Sequence, residues 1–424
     1  MENKIKIGLI GLGTVGGGVY KTLKDFDNIE IAKIAVHNKN KKRNIENLDE
    51  NILTEDGYEV VNDPQIQIVA ELMGGCEPAF SLIKTAILNK KHIVTANKEL
   101  LAKHGEELFR LAKDNNVVIL YEAAIAGGIP LIMPIKTILA GNKINKIKAI
   151  VNGTTNYILT KMDVQGESYE DVLREAQDLG YAETNPTGDV EGFDAAYKIT
   201  TLATIAFGKR IKFENVYREG ITKIRPQDMQ AANEMGYKIK LIASAELDKD
   251  GRADVRVHPM LVPKSKALAH IDYVTNAVTL TGHPVGEITL SGPGAGEFPT
   301  ASSVVGDILA IVSEIGLTDY ILPMMRCPHQ ENAQMVEISE TMNKYYISIT
   351  SKNNLGVIGR IGNACEQNNI SLSSIVQKEI VENHSADITV ITELCKEKDM
   401  QNFIKTLNED ESIIEVNSLI RVQI

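Results

Sequence analysis

Ile5-Lys6-Ile7-Gly8-Leu9-Ile10-Gly11-Leu12-Gly13-Thr14-Val15-Gly16 is the stretch whose reading decides the fold. A short apolar run leads into a glycine loop, and Val19-Tyr20-Lys21-Thr22-Leu23 follows with helical character. That strand, turn and helix are the context a dinucleotide fingerprint requires. The three glycines do different things. Gly11 permits the tight turn, Gly13 lets the backbone approach a pyrophosphate, and Gly16 allows close helix packing. The phosphates then meet the helix N-terminus at Thr14, Val15 and Gly16, where free N–H groups and the helix dipole favour negative charge. A glycine-rich turn that only packs a helix on a strand is the plain alternative; the position after the first strand favours the nucleotide.

Outward from this loop, strands are expected at 29–36, 66–72, 92–95 and 117–121, with helices at 78–89 and 99–114. The alternation predicts an α/β fold with a Rossmann-type, doubly wound parallel sheet over residues 1–130. Over 131–296 the pattern changes to longer helices mixed with β-rich runs, an α+β region. A second glycine turn, Ser291-Gly292-Pro293-Gly294-Ala295-Gly296, opens an apolar helix that is expected to return the chain to the nucleotide domain over about 297–325. Residues 323–332 read as a linker. The order β-α-β-β-α-β over 343–424 predicts a separate ferredoxin-like domain.

Composition bounds the function. With 424 residues, 43% hydrophobic and 24% charged, the chain is of ordinary globular type and long enough for two or three domains. A formal net charge of -11 argues against sequence-independent nucleic-acid binding. No apolar run spans a bilayer and no secretory signal is evident, so no membrane partner and a cytoplasmic location are expected. Cys76, Cys327, Cys365 and Cys395 lack paired spacing and read as reduced thiols, with Cys327-Pro328-His329 a loop and not a ligand pair.

Four further places can carry chemistry. After the second strand, Val36-His37-Asn38-Lys39-Asn40-Lys41-Lys42-Arg43 has no acid until Glu46, which favours NADP while leaving NAD possible; a solvated charged loop is the alternative. Thr95-Ala96-Asn97-Lys98 puts Lys98 at the carboxyl edge of the sheet, in reach of cofactor or substrate. Glu122, in Tyr121-Glu122-Ala123-Ala124-Ile125-Ala126-Gly127-Gly128-Ile129-Pro130, stands beside carbonyls in a tight turn, an oxygen set that suits hard cations, although the residues alone favour a simple turn. The densest cluster is 176–198, with Gly180, Glu183, Asp189, Asp194 and Lys198. Asp194 and Lys198 are one helical turn apart; acids and a lysine among small residues suit a pocket for a cationic amino group with a lysine free for proton transfer, against the alternative of a surface ion pair.

The run Ala176-x-x-x-Gly180-Tyr181-Ala182-x-x-Asn185-Pro186-x-x-Asp189-Val190-x-Gly192-x-Asp194-x-x-x-Lys198 resembles the homoserine dehydrogenase signature, and the glycine loops and Lys98 fall in that family's order. The resemblance covers essentially the whole chain. It implies NAD(P)-dependent interconversion of L-aspartate 4-semialdehyde and L-homoserine, within threonine, methionine and isoleucine biosynthesis. It implies Lys198 as proton donor, Glu183 and Asp194 holding substrate with support from Asp189, and Lys98 at the cofactor and reacting end. It implies that Gly180, Gly294 and Gly296 approach the nicotinamide and that residues 131–296 form the substrate and dimerisation domain. It further implies a monovalent cation, sodium, on the Glu122 carboxylate and the carbonyls of Ile125, Gly127 and Ile129. The family often carries arginine where His37 aligns, which bears on NADP preference.

The C-terminal region is similar to an ACT domain, implying L-threonine as a feedback effector and a homodimer or homotetramer. Asn354 and Leu355 depart from the acid and proline usual before Gly356-Val357. Two other functions compete. An aspartate-semialdehyde dehydrogenase needs an activated cysteine, for which Cys76 is the candidate. A non-catalytic dinucleotide or amino-acid sensor has no use for the Glu183–Lys198 cluster.

Overall fold

Residues 4–315, 331–379 and 385–423 are described by the computed structural model. The linker expected at 323–332, but for its last two residues, lies outside them, as do Cys327-Pro328-His329 and the end of the 297–325 segment. The first elements are β1 (Ile5–Ile10), α1 (Thr14–Leu23), β2 (Ile29–Ala35), β3 (Leu53–Thr54) and α2 (Gly57–Val61). Next come β4 (Ile68–Glu71), α3 (Ala79–Leu88), β5 (His92–Thr95), α4 (Lys98–Asp114), β6 (Ile119–Leu120), α5 (Ala123–Ala126) and α6 (Ile132–Lys136). The middle of the chain holds β7 (Lys143–Ile150), α7 (Gly153–Gln165), α8 (Tyr169–Asp178), α9 (Thr187–Val190), α10 (Phe193–Phe207), β8 (Tyr217–Arg218) and α11 (Pro226–Glu234). Then follow β9 (Tyr237–Leu247), β10 (Ala253–Pro263), β11 (Thr275–His283), β12 (Gly286–Pro293) and α12 (Glu297–Glu314). The C-terminal elements are β13 (Met342–Lys352), α13 (Val357–Gln367), β14 (Leu372–Glu379), β15 (Ser385–Thr392), β16 (Cys395–Lys396), α14 (Glu397–Asn408) and β17 (Ile413–Val422).

The contacts divide the chain into two compact units that interleave in sequence: Met1–Ile147, Ala196–Val216 and Thr275–Ala333 form one, and Lys148–Ala195, Tyr217–Val274 and Gln334–Ile424 the other. In the first unit six strands stand in the order β3-β2-β1-β4-β5-β6, all parallel, which is the doubly wound sheet the apolar runs predict. Strands covered on both faces carry apolar residues throughout, as Ile68, Val69 and Ala70 do in β4. Chain order reverses between β1 and β4, so the ligand crevice of such a sheet opens at their carboxyl ends. Helix α12 packs on α1: a methyl at Gly18 would lie 2.7 Å from the Glu297 carbonyl oxygen, and Lys21 and Glu297 pair at 2.7 Å. Val304, Val305, Ile308 and Ile311 of α12 share one core with Ile7, Leu9, Val19 and Ile34.

In the second unit β9 and β10 run antiparallel along their whole length. The other edge of β10 is shared end to end by two parallel partners, β8 beside Arg256 and Val257, and β17 beside Met260 and Leu261. From β17 the sheet continues antiparallel through β13, β15 and β14. With α13 and α14 this is the expected ferredoxin-like order, its strands arranged fourth, first, third, second, but it is not separate: it shares one sheet and one compact unit with β9 and β10. Its core gathers Tyr345, Ile347, Val357, Ile361, Met400 and Phe403. Among the described residues no helix is long and apolar enough to cross a membrane.

Candidate active site

The glycine loop ends β1 at the switch point. A Cβ on Gly11, where φ is +105°, would stand 2.7 Å from the Leu72 carbonyl oxygen, so the loop passes hard against the end of β4. A Cβ on Gly16 would stand 2.3 Å from the Gly11 carbonyl oxygen, whereas one on Gly13 would meet nothing within 4 Å. Those are a turn glycine, a packing glycine and a glycine facing open space where a phosphate can approach. Gly13, the N-cap of α1, has no side chain to cap the helix, so the helix start at Thr14, Val15 and Gly16 suits an anion. The residues present therefore fit a dinucleotide. Beyond β2 the Arg43 guanidinium donates to the carbonyls of Asn38, Lys39 and Lys41 and gathers the basic loop around itself, while Glu55 accepts from the Lys39 N–H.

Lys98 is the first residue of α4, and its place is set by a buried polar chain at the ends of β4 and β5. Glu71, fully buried, accepts from Thr95 Oγ1 at 2.6 Å and from the N–H groups of Met73 and Gly74. Asn97 caps α4 by accepting from the Leu100 N–H, and its Nδ2 donates to the Gly75 carbonyl at 2.6 Å. Cys76 follows directly. Burial and the neighbouring Glu99 carboxylate push its thiol above the usual value, against the pull of Lys103, so it lacks the activation a nucleophile needs.

The Glu122 carboxylate accepts from the N–H groups of Leu131 (2.5 Å), Ile132 (2.8 Å) and Met133 (2.8 Å), capping α6. The Gly127 carbonyl accepts from Ser303 Oγ at 2.6 Å. Glu122 Oε2 and the Gly127 oxygen each accept one of these bonds and keep a second lone pair, so both remain compatible with a cation. Among the described residues no three His, Cys, Asp or Glu side chains gather to hold a metal ion. A methyl on Gly127 would lie 2.4 Å from the Gly294 carbonyl oxygen, which brings the second glycine turn against this loop. Beneath it, Asp307 accepts from the Glu122 N–H at 2.8 Å. Burial pushes the Asp307 carboxyl up to about 8; that N–H opposes the rise and the Glu122 charge adds to it.

In the second unit the acids of the long cluster converge. Asn152, at the end of β7 and 5% exposed, donates through Nδ2 to Asp189 Oδ1 at 2.7 Å and to Asp194 Oδ2 at 2.9 Å. Its Oδ1 caps α7 by accepting from the Thr155 N–H. Gly180 closes α8 at φ +76°, and Thr154 Oγ1 donates to the next carbonyl, that of Tyr181, at 2.6 Å. Glu183 is exposed, with its carbonyl accepting from Gln177 Nε2 at 3.0 Å. Gly294 and Gly296 close β12 and open α12 in the first unit. Helix α10 carries both Asp194 and Lys198, one turn apart on one face, with Lys198 buried.

A family model described as "Homoserine dehydrogenase, NAD binding domain" matches residues 11–122, and one described as "Homoserine dehydrogenase" matches residues 130–309. The homoserine dehydrogenase of Synechocystis sp. is 42% identical over 431 residues, 99% of each chain. The chain belongs to the homoserine dehydrogenase family. The homoserine dehydrogenase of Neisseria gonorrhoeae is 39% identical, covering 99% of this chain and 98% of its own. The crystal structure of a homoserine dehydrogenase from Thiobacillus denitrificans superposes with a TM-score of 0.93 at 37% identity, covering 100% of this chain and 99% of that one. A hyperthermophilic archaeal homoserine dehydrogenase solved in complex with NADPH matches 74% of this chain and 98% of its own, with a TM-score of 0.63 at 28% identity.

As a homoserine dehydrogenase the protein is an NAD(P)-dependent oxidoreductase. The homoserine dehydrogenase signature brings Asp189 and Asp194 to one amide donor. Two polar residues of this architecture escape the sequence reading. Asn152 sits 37 and 42 residues from its carboxylate partners, and its strand-to-helix position signals only a helix cap. Glu71 ends an apolar strand and carries no sign of its partnership with Thr95, 24 residues on.

Proposed function

We propose that this chain reversibly reduces L-aspartate 4-semialdehyde to L-homoserine, with Asp194, Asp189 and Glu183 binding the amino-acid substrate and Lys198 handling the proton. The observation that carries the reading is the Asn152 amide spanning Asp189 and Asp194, one helical turn from Lys198. One shared donor holds two carboxylates close together and leaves each with acceptor capacity for a substrate ammonium or hydroxyl. The bound nicotinamide supplies the hydride. Lys198 gives its proton to the alkoxide that develops on the former aldehyde oxygen, and takes it back in the reverse direction. Gly11, Gly13, Thr14, Val15 and Gly16 hold the pyrophosphate; Lys98, Gly294 and Gly296 serve the nicotinamide end.

NADP is the preferred cofactor in this reading, supported by the basic loop gathered around Arg43. A monovalent cation, sodium, takes the carbonyls of Ile125, Gly127 and Ile129 with Glu122. The ferredoxin-like module acts as an ACT domain with L-threonine as effector, in a cytoplasmic homodimer or homotetramer. One set of initial-rate measurements tests these points: homoserine against NADP and NAD, in sodium and potassium buffers, with and without threonine. Lys198→Ala is expected to bind cofactor normally and to lose roughly 100- to 10,000-fold in kcat. Near-normal turnover in that variant overturns the assignment of the proton donor.

A further inference from the structure

The last strand of the chain carries an arginine that is almost wholly buried. Arg421 on β17 is 2% exposed. Its Nε and Nη2 donate to Glu397 at 3.0 and 2.7 Å, a paired contact inside the C-terminal module. Its Nη1 points the other way and donates to Glu219 Oε2 at 2.9 Å, just beyond β8. Tyr217 completes the joint, its hydroxyl donating to the same Glu219 oxygen at 3.2 Å. This geometry follows from the ladder: β17 and β8 lie end to end on the same edge of β10, which brings Arg421 beside Glu219.

Glu219 begins a short platform for the substrate loop. Its N–H donates to the Val257 carbonyl at 2.8 Å, and the Ile221 N–H donates to the Val190 carbonyl at 2.9 Å. At Gly220 the two backbones touch directly, since a methyl there would lie 2.3 Å from the Val190 oxygen and 2.8 Å from Glu191 Cα. Arg218 stacks its guanidinium over the Phe193 ring at 3.9 Å. Val190, Glu191, Gly192 and Phe193 are the four residues between Asp189 and Asp194.

We propose that Arg421 and Glu219 are positioning residues for the reaction: through them the C-terminal module braces the turn that sets Asp189 and Asp194. A planar guanidinium suits this role because its fork grips Glu397 with one edge and leaves a third donor for Glu219. The brace rests on the reading of Asp189 and Asp194 as substrate contacts, so the experiment tests both separately.

Glu219→Gln in the full chain is the first variant. Its side chain is 35% exposed, and the change leaves the Arg421–Glu397 pair intact. The expected result is a rise of roughly three- to tenfold in the KM for homoserine, with the KM for cofactor and the melting temperature unchanged. Glu219→Asp, which keeps the charge one methylene short, should fall between, and serves alone if the glutamine variant does not fold. Arg421→Lys, which loses the fork and with it part of the buried Glu397 pair, should raise the homoserine KM likewise but lower the melting temperature as well. A homoserine KM within twofold of the parent, or equal rises in both KM values, overturns the brace. Asp194→Asn is the control. If it leaves homoserine kinetics untouched, the site reading falls and takes the brace with it; if it collapses kcat/KM while Glu219→Gln changes nothing, the brace alone falls.

Discussion

Asn152→Ser separates the two roles of one buried amide. Serine caps a helix about as well as asparagine, so α7 keeps its acceptor for the Thr155 N–H and the cap itself should cost no more than about 1 kcal/mol of stability. The serine hydroxyl has one proton and a shorter reach, and cannot donate to Asp189 and Asp194 together. Hydrogen bonds to charged groups contribute roughly 1.5–3 kcal/mol each, and two are lost. Water or substrate replaces part of that, leaving about 2–3 kcal/mol of misplaced binding energy, or roughly 30- to 150-fold in kcat/KM. Steady-state kinetics with homoserine, beside a thermal melt, measure both quantities. Asn152→Asp should be worse than the serine variant, because it sets a third carboxylate against the pair. An Asn152→Ser enzyme with kcat/KM within threefold of the parent and an unchanged melt would refute the view that this amide aligns the substrate carboxylates.

Asp307 makes a prediction about pH. Its carboxyl sits at about 8 in the folded chain, against about 3.9 for a free aspartate, so between those values the folded protein holds a proton that the unfolded chain has released. Stability contributed by that proton is complete below about pH 4 and is lost as pH rises toward 8. Asp307→Asn keeps an acceptor for the Glu122 N–H and removes the titration, so urea unfolding should find it more stable than the parent by about 5 kcal/mol at pH 8, shrinking toward zero near pH 4. A gap of equal size at both pH values rules out this titration as the cause. At the glycine loop, Gly13→Ala should leave the melt unchanged, because the new methyl meets no protein atom within 4 Å, yet weaken NADPH binding by about tenfold or more in a fluorescence titration. Undiminished affinity would place the pyrophosphate elsewhere.

What the sequence discloses depends on how local the signal is. The doubly wound sheet is legible because Ile7, Leu9, Ile68 and Val94 lie in short apolar runs between periodic helices, and both faces of such strands are covered. The ferredoxin-like module is legible for the same reason, down to α13 at Val357–Gln367. Elements too short for any period stay hidden, such as β3 with two residues and the five-residue α2 after it. Chemistry divides along the same line. Asp194 and Lys198 are visible together because one helix turn joins them. Asn152, Glu71 and Arg421 are not, because each acquires its meaning from a partner that only the fold brings near. Glu122 stands between these cases: its place at a strand end is readable, but the three N–H groups it accepts belong to a helix start nine to eleven residues later.

The way the C-terminal module is attached bears on how any effector response should be tested. A module joined by a linker can be cut away and the remainder assayed. Here β17 hydrogen-bonds to β10, and the Gln423 N–H extends that ladder to the Leu261 carbonyl at 2.8 Å. Tyr346 and Ser418 of the module also donate to Asp228, a fully buried carboxylate at the start of α11. Removing the module would bare one edge of β10 and strand Asp228 without two of its donors, and an unpaired strand edge and a buried under-bonded carboxylate are each destabilising. Loss of activity in such a truncation would therefore say nothing about regulation. Point substitutions that leave β17 in its ladder, such as those at Glu219, separate the module's structural contribution from whatever signal it carries.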